Sequence, residues 1–107
     1  MTILIDKFAF FNLIMKPKEI ERISKALGDP HRLRIMQEVK RLEWMPCAQI
    51  CDMLDLAQPS VSHHIKQLVD AGLLIPEKEG RNIKYSIDKE VFGQYITFLN
   101  SLVENNI

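Results

Sequence analysis

A chain of 107 residues suits one domain with one modest core and leaves no room for a second. Apolar residues at 47% and charged residues at 26% exclude a disordered or fibrous chain, and 14 basic against 14 acidic residues exclude any global attraction to nucleic acid, so that only a local basic surface would bind it. The longest apolar stretch, Phe8 to Met15, is interrupted by Asn12 and is too short to span a bilayer, and Met1 to Lys7 lack the basic region and cleavage site of a secretory signal, which predicts a cytoplasmic protein without membrane contact.

Residues 1–17 read as a hydrophobic arm carrying Phe8, Phe10, Phe11, Leu13 and Ile14, and residues 18–107 as the folded domain. Pro17 breaks the arm, because proline is poorly tolerated inside a helix but fits its first turn. From Lys18, Ile20, Ile23, Ala26 and Leu27 recur at helical spacing until Gly28-Asp29-Pro30 stops the pattern. Asp29 then caps a second helix with Pro30 at its first position, and Leu33, Met36 and Val39, widened by Ile35 and Leu42, form its buried stripe. Trp44-Met45-Pro46 is the next connection.

A short helix is predicted from about Cys47 to Leu54, with Ile50, Cys51 and Leu54 inward, followed by a turn at Asp55-Leu56-Ala57. Gln58-Pro59 opens another helix in which Val61, Ile65 and Leu68 face one way and Ser60, His63 and Gln67 the other. Two helices joined by about three residues form a helix-turn-helix pattern. Ala71-Gly72 ends the second helix, and Glu79-Gly80-Arg81-Asn82 separates two strand-like runs in which Ile83, Tyr85 and Ile87 alternate with Lys84 and Ser86, a hairpin with one dry face. Asp88 caps a last helix bearing two apolar stripes, Val91, Tyr95 and Leu102 beside Phe92, Ile96, Leu99 and Val103, more than one small core needs. The fold class is mainly α with a small β-hairpin.

Ala26-Leu27-Gly28-Asp29-Pro30-His31-Arg32-Leu33-Arg34-Ile35, the run Gln58 to Leu68, and Ala71-Gly72-Leu73-Leu74 resemble the signatures of the ArsR/SmtB family of bacterial regulators. The resemblance runs from about Lys18 to Val103. It implies a winged helix-turn-helix homodimer that binds a pseudo-palindromic operator on double-stranded DNA, as a repressor by family habit, and releases it on sensing an effector. In such a motif the second helix enters the major groove, which assigns Gln58, Ser60, Ser62, His63, His64 and Lys66 to DNA; glutamine can read adenine, serine serves base or phosphate, and lysine supplies charge. Lys78, Arg81 and Lys84 surround the wing tip and would lie along flanking phosphate or the minor groove, against the opposing charge of Glu77 and Glu79. Ala57 departs from the family, where many relatives have a serine that would cap the recognition helix. Phe8 and Phe11 of the arm and Phe92, Tyr95, Ile96 and Leu99 of the last helix are the expected dimerisation residues.

Members of the family often sense metal through a Cys-x-Cys arrangement on the first helix of the motif, whereas this chain has Cys47-Ala48-Gln49-Ile50-Cys51. Two thiolates on one face do not complete a tetrahedral site, and residues 89–107 have no His for the family's other metal site and no Cys for a redox partner. Cys47 and Cys51 therefore read first as structural thiols, with metal or redox sensing as alternatives; neither a metal nor a cofactor is expected, and the effector is unassigned. No Ser-His-Asp order, paired carboxylates or glycine-rich phosphate loop suggests an enzyme, and His31, His63 and His64 alone make no catalytic site. The rival reading is a winged-helix module whose same surface binds protein, which the neutral net charge favours.

Overall fold

The structure is a computed structural model that describes residues 15–104. The arm through residue 14, with Phe8 and Phe11, lies outside the described residues. Among the described residues, five helices and three strands follow in the order α1 Pro17–Leu27, α2 Pro30–Leu42, β1 Met45–Pro46, α3 Cys47–Leu54, α4 Gln58–Asp70, β2 Leu74–Glu79, β3 Asn82–Ile87 and α5 Lys89–Val103. This is the winged helix-turn-helix order, with one strand beyond expectation.

The helix boundaries follow from local chemistry. Asp29 Oδ1 accepts hydrogen bonds from the backbone N–H groups of His31 (2.8 Å) and Arg32 (3.2 Å), two donors that helix geometry leaves without partners at the start of α2. Asp88 Oδ1 does the same for Val91 N at 3.1 Å and starts α5. At the end of α4, Gly72 takes φ +80°, which a side chain would strain, and its N–H donates to Val69 O.

The core gathers Ile23 and Ala26 of α1, Ile35, Met36 and Val39 of α2, Ile50 and Leu54 of α3, and Val61, Ile65 and Leu68 of α4, closed by Leu73, Leu74, Tyr85 and Tyr95. Met15, expected in the arm, is buried with them. Fully burying a side chain of this kind contributes about 1.5–3 kcal/mol, and α1, α2 and α3 all pack against α4. Leu33 was expected inside but is 44% exposed, because Ile35, Met36 and Val39 already occupy the core-facing arc of α2.

Strands β2 and β3 pair antiparallel from Leu74↔Ile87 to Glu79↔Asn82 around the two-residue turn Gly80-Arg81. Gly80 has φ +60° while Arg81 has no positive φ, the pattern of a type II′ turn. The unexpected strand β1 adds to the free side of β3 through Met45↔Tyr85 and Pro46↔Lys84, giving the order β1-β3-β2. The dry face is confined to the hairpin's base: Tyr85 is buried, but Ile83, expected inside, is 37% exposed, because the outer half projects past the core.

Candidate nucleic-acid interface

Helix α4 turns Val61, Ile65 and Leu68 into the core, which forces the intervening residues outward. Gln58, Ser60, Ser62, His63 and Lys66 are all exposed on that outer side. Ala57 stands at the N-cap and offers only its backbone carbonyl, which accepts from Ser60 N (2.9 Å) and Val61 N (3.1 Å). Lys66 Nζ pairs with Asp70 Oδ2 at 2.9 Å, but both side chains are well exposed, so the pair is weak and a phosphate can displace it.

His64, assigned with them to DNA, is held differently. Its side chain is only 13% exposed, and its Nδ1 lies 3.1 Å from Arg32 Nη1 and 3.9 Å from Asp29 Oδ1. The ring sits 5.3 Å from that of His31 and 6.1 Å from that of His63. Partial burial, foremost, holds its pKa below the ordinary value of 6.5, with the charges of Arg32, His31 and His63 acting the same way and Asp29 opposing. His64 thus docks α4 onto the start of α2 and is not an outward reader.

In the wing, Lys78 and Arg81 are exposed near the tip. Lys84 is half-buried instead: Nζ lies 2.7 Å from Glu79 Oε1 and 4.9 Å from the centroid of the Trp44 ring, which β1 brings alongside β3. The hydrogen bond to Glu79 raises its pKa. Its charge is therefore engaged inside the wing, and Arg81 and Lys78 are the cations the wing offers outward. Sequence spacing missed Arg32 and Trp44, since both act on residues far away in the chain.

Cys47 and Cys51 are free thiols one turn apart on α3, half-buried against the core. Burial raises the pKa of Cys47, and Cys51 adds to the effect. Among the described residues, no three His, Cys, Asp or Glu side chains are grouped to hold a metal ion. Iodoacetamide is accordingly expected to modify Cys47 slowly at neutral pH and to speed up only in distinctly alkaline solution. Fast labelling at neutral pH, followed by mass spectrometry, would contradict this.

The last helix leaves its apolar residues uncovered: Ile96 is 45%, Leu99 41%, Leu102 69% and Val103 83% exposed. Beside them an apolar groove of about 540 Å³ runs between α2 and α5, lined by Leu27, Leu33, Met36, Phe92 and Ile96. Tyr95, grouped with the expected dimerisation residues, is buried within the fold itself, and its hydroxyl shares a 2.8 Å hydrogen bond with Ser24 Oγ of α1. Among the described residues, no helix is long and apolar enough to cross a membrane.

A family model for a helix-turn-helix domain matches residues 27–77. The arsenical resistance operon repressor of Staphylococcus xylosus is 38% identical over 87 residues, 77% of this chain and 77% of that protein. The protein of the same description from Staphylococcus aureus is 33% identical over 97 residues, 86% of this chain and 88% of that one. Among solved structures, an ArsR family transcriptional regulator superimposes with a TM-score of 0.75 at 28% identity, covering 87% of this chain and 98% of the other.

Proposed function

The chain belongs to the ArsR/SmtB family of winged helix-turn-helix regulators, a family of transcriptional regulators rather than enzymes, and from that premise we propose that it is a cytoplasmic repressor that binds an inverted-repeat operator as a homodimer. The observation that carries this reading is the outer side of α4, where Gln58, Ser60, Ser62 and His63 stand exposed at the N-terminal half of a helix whose other side is locked into the core. That is the part of a recognition helix that meets base edges in the major groove. Arg81 and Lys78 at the wing tip supply phosphate charge beside it, while the uncovered stripe of α5 pairs two subunits and so spaces two recognition helices for two half-sites. Both staphylococcal relatives are named as arsenical resistance operon repressors, yet the Cys47 and Cys51 pair offers two thiols with no third ligand beside them among the described residues, so we assign no arsenical or metal effector.

Binding to promoter DNA, followed by fluorescence anisotropy at several salt concentrations, tests the reading. The double variant His63→Ala with Lys66→Ala is expected to lose about tenfold or more in operator affinity with its melting temperature nearly unchanged, because both side chains are exposed. In the same assay Arg81→Ala lowers the slope of log affinity against log salt by about one, whereas Lys84→Ala changes it little, since Glu79 and Trp44 already hold that ammonium. Wild-type affinity in the double variant, or binding indifferent to salt, would defeat the assignment and point to a protein partner.

A further inference from the structure

The guanidinium of Arg32, carried on α2, reaches two other helices at once, α1 and α4. Nε donates to Ala26 O at 2.6 Å and Nη2 to Lys25 O at 3.1 Å, a carbonyl that also accepts from Gly28 N, so the guanidinium caps the end of α1. Nη1 reaches His64 Nδ1 at 3.1 Å on α4, while the backbone N–H of the same residue is bound by the Asp29 cap. A guanidinium carries donors only, so the His64 nitrogen facing it must accept, which fixes the ring as neutral with its proton on Nε2. No lysine reproduces this, because one ammonium lacks the planar fork that spans three acceptors.

We propose that Arg32 is a positioning residue for DNA reading: through neutral His64 it sets α4 against α1 and α2, and a proton on His64 releases the helix and erodes operator recognition. The inference rests on the DNA-binding role proposed above. When Nδ1 takes up a proton it becomes a donor, loses the Arg32 hydrogen bond and acquires a positive charge beside a positive charge. Its remaining acceptor is Asp29 Oδ1, 3.9 Å away, the oxygen that already caps α2. The groups facing the ring are therefore Asp29, Arg32 and His31 from the α1–α2 side and His63 on its own helix. The lowered pKa of His64 agrees with this geometry: below 6.5 the unfolded chain takes up the proton first, so the clamp's stabilisation is present above that value and is lost as pH falls through the folded one.

Acid raises a protein's positive charge in general and with it the attraction to any phosphate, so the diagnostic quantity is the ratio of affinities for two duplexes of equal length: one selected from a random pool by the wild-type protein at pH 7.5, the other its scrambled sequence. For the wild type this ratio is expected to fall about tenfold once the pH is taken from 7.5 far enough below 6.5 to protonate His64. In His64→Asn, which presents a carbonyl where Nδ1 stood and does not titrate, the ratio stays near the wild-type pH 7.5 value throughout. Arg32→Lys lowers it at pH 7.5 already. Imidazole nitrogen spectra of the DNA-free wild type are expected to show His64 as the Nε2–H tautomer, and to show that state lost in Arg32→Lys. Equal pH dependence in wild type and His64→Asn, an unchanged ratio in Arg32→Lys, or His64 in the other tautomer overturns the proposal. A wild type that discriminates between no duplexes at pH 7.5 defeats the DNA reading and this proposal together, and an intact His64 tautomer distinguishes that result from failure of the clamp.

Discussion

In the proposed homodimer, replacing Leu99 with aspartate is expected to leave a monomer near 12.4 kDa by sedimentation at micromolar concentration, where the wild type sediments as a dimer. Leu99 is 41% exposed in the single subunit, between Ile96 and the still barer Leu102 and Val103, so a carboxylate there meets water and leaves the subunit's own core alone. In a two-fold interface the same change is made twice, and each carboxylate must be desolvated against apolar side chains with its symmetry mate nearby. At about 25 cal/mol per Å² of apolar area, a few hundred Å² per subunit contributes several kcal/mol to pairing, and a desolvated charge costs a comparable amount. Operator affinity should fall about a hundredfold or more, because two tethered half-site contacts become two independent ones. Far-UV circular dichroism is expected to keep its helical signal. A wild-type monomer, or a Leu99→Asp variant still dimeric at the same concentration, would remove the dimer from the mechanism.

The parts of this fold that sequence exposes are those decided by neighbours in the chain. Asp29 and Asp88 announce helix starts because a cap needs only its own side chain and an amide two or three residues on. Val61, Ile65 and Leu68 announce the buried side of α4 by spacing alone. Leu33 misleads because spacing defines a stripe without its edges: it lies about 60° beyond Met36 on the helix wheel, on the side away from Ile35. Ile83 misleads because alternation says which face a residue is on and not how far the core extends beneath it. Strand β1 is two residues long, too short to alternate, and exists only because β3 lies beside it. His64 sits among polar residues on α4 and reads as one of them; what withdraws it from the surface is an arginine 32 positions earlier, a contact no local pattern encodes.

Leu68→Ala is expected to lower stability by about 2–5 kcal/mol, the range for deleting a large aliphatic side chain from a packed interior. Leu68 has no exposed surface and stands on the inner side of α4 in the core that joins the described helices, so its removal leaves a cavity there. For a domain of this size each kcal/mol moves the midpoint by about 4–8 °C, which places the melting temperature of the variant about 8–40 °C below that of the wild type at equal protein concentration. Ser62→Ala on the same helix supplies the opposite pattern. Its side chain is exposed, so its melting temperature should stay within about two degrees of the wild type while operator affinity drops. The pair separates the two tasks proposed for α4, the inner side holding the helix and the outer side reading DNA. Equal losses of stability in both variants would mean that the outer side is structural, and the recognition helix would then have to be sought elsewhere in the molecule.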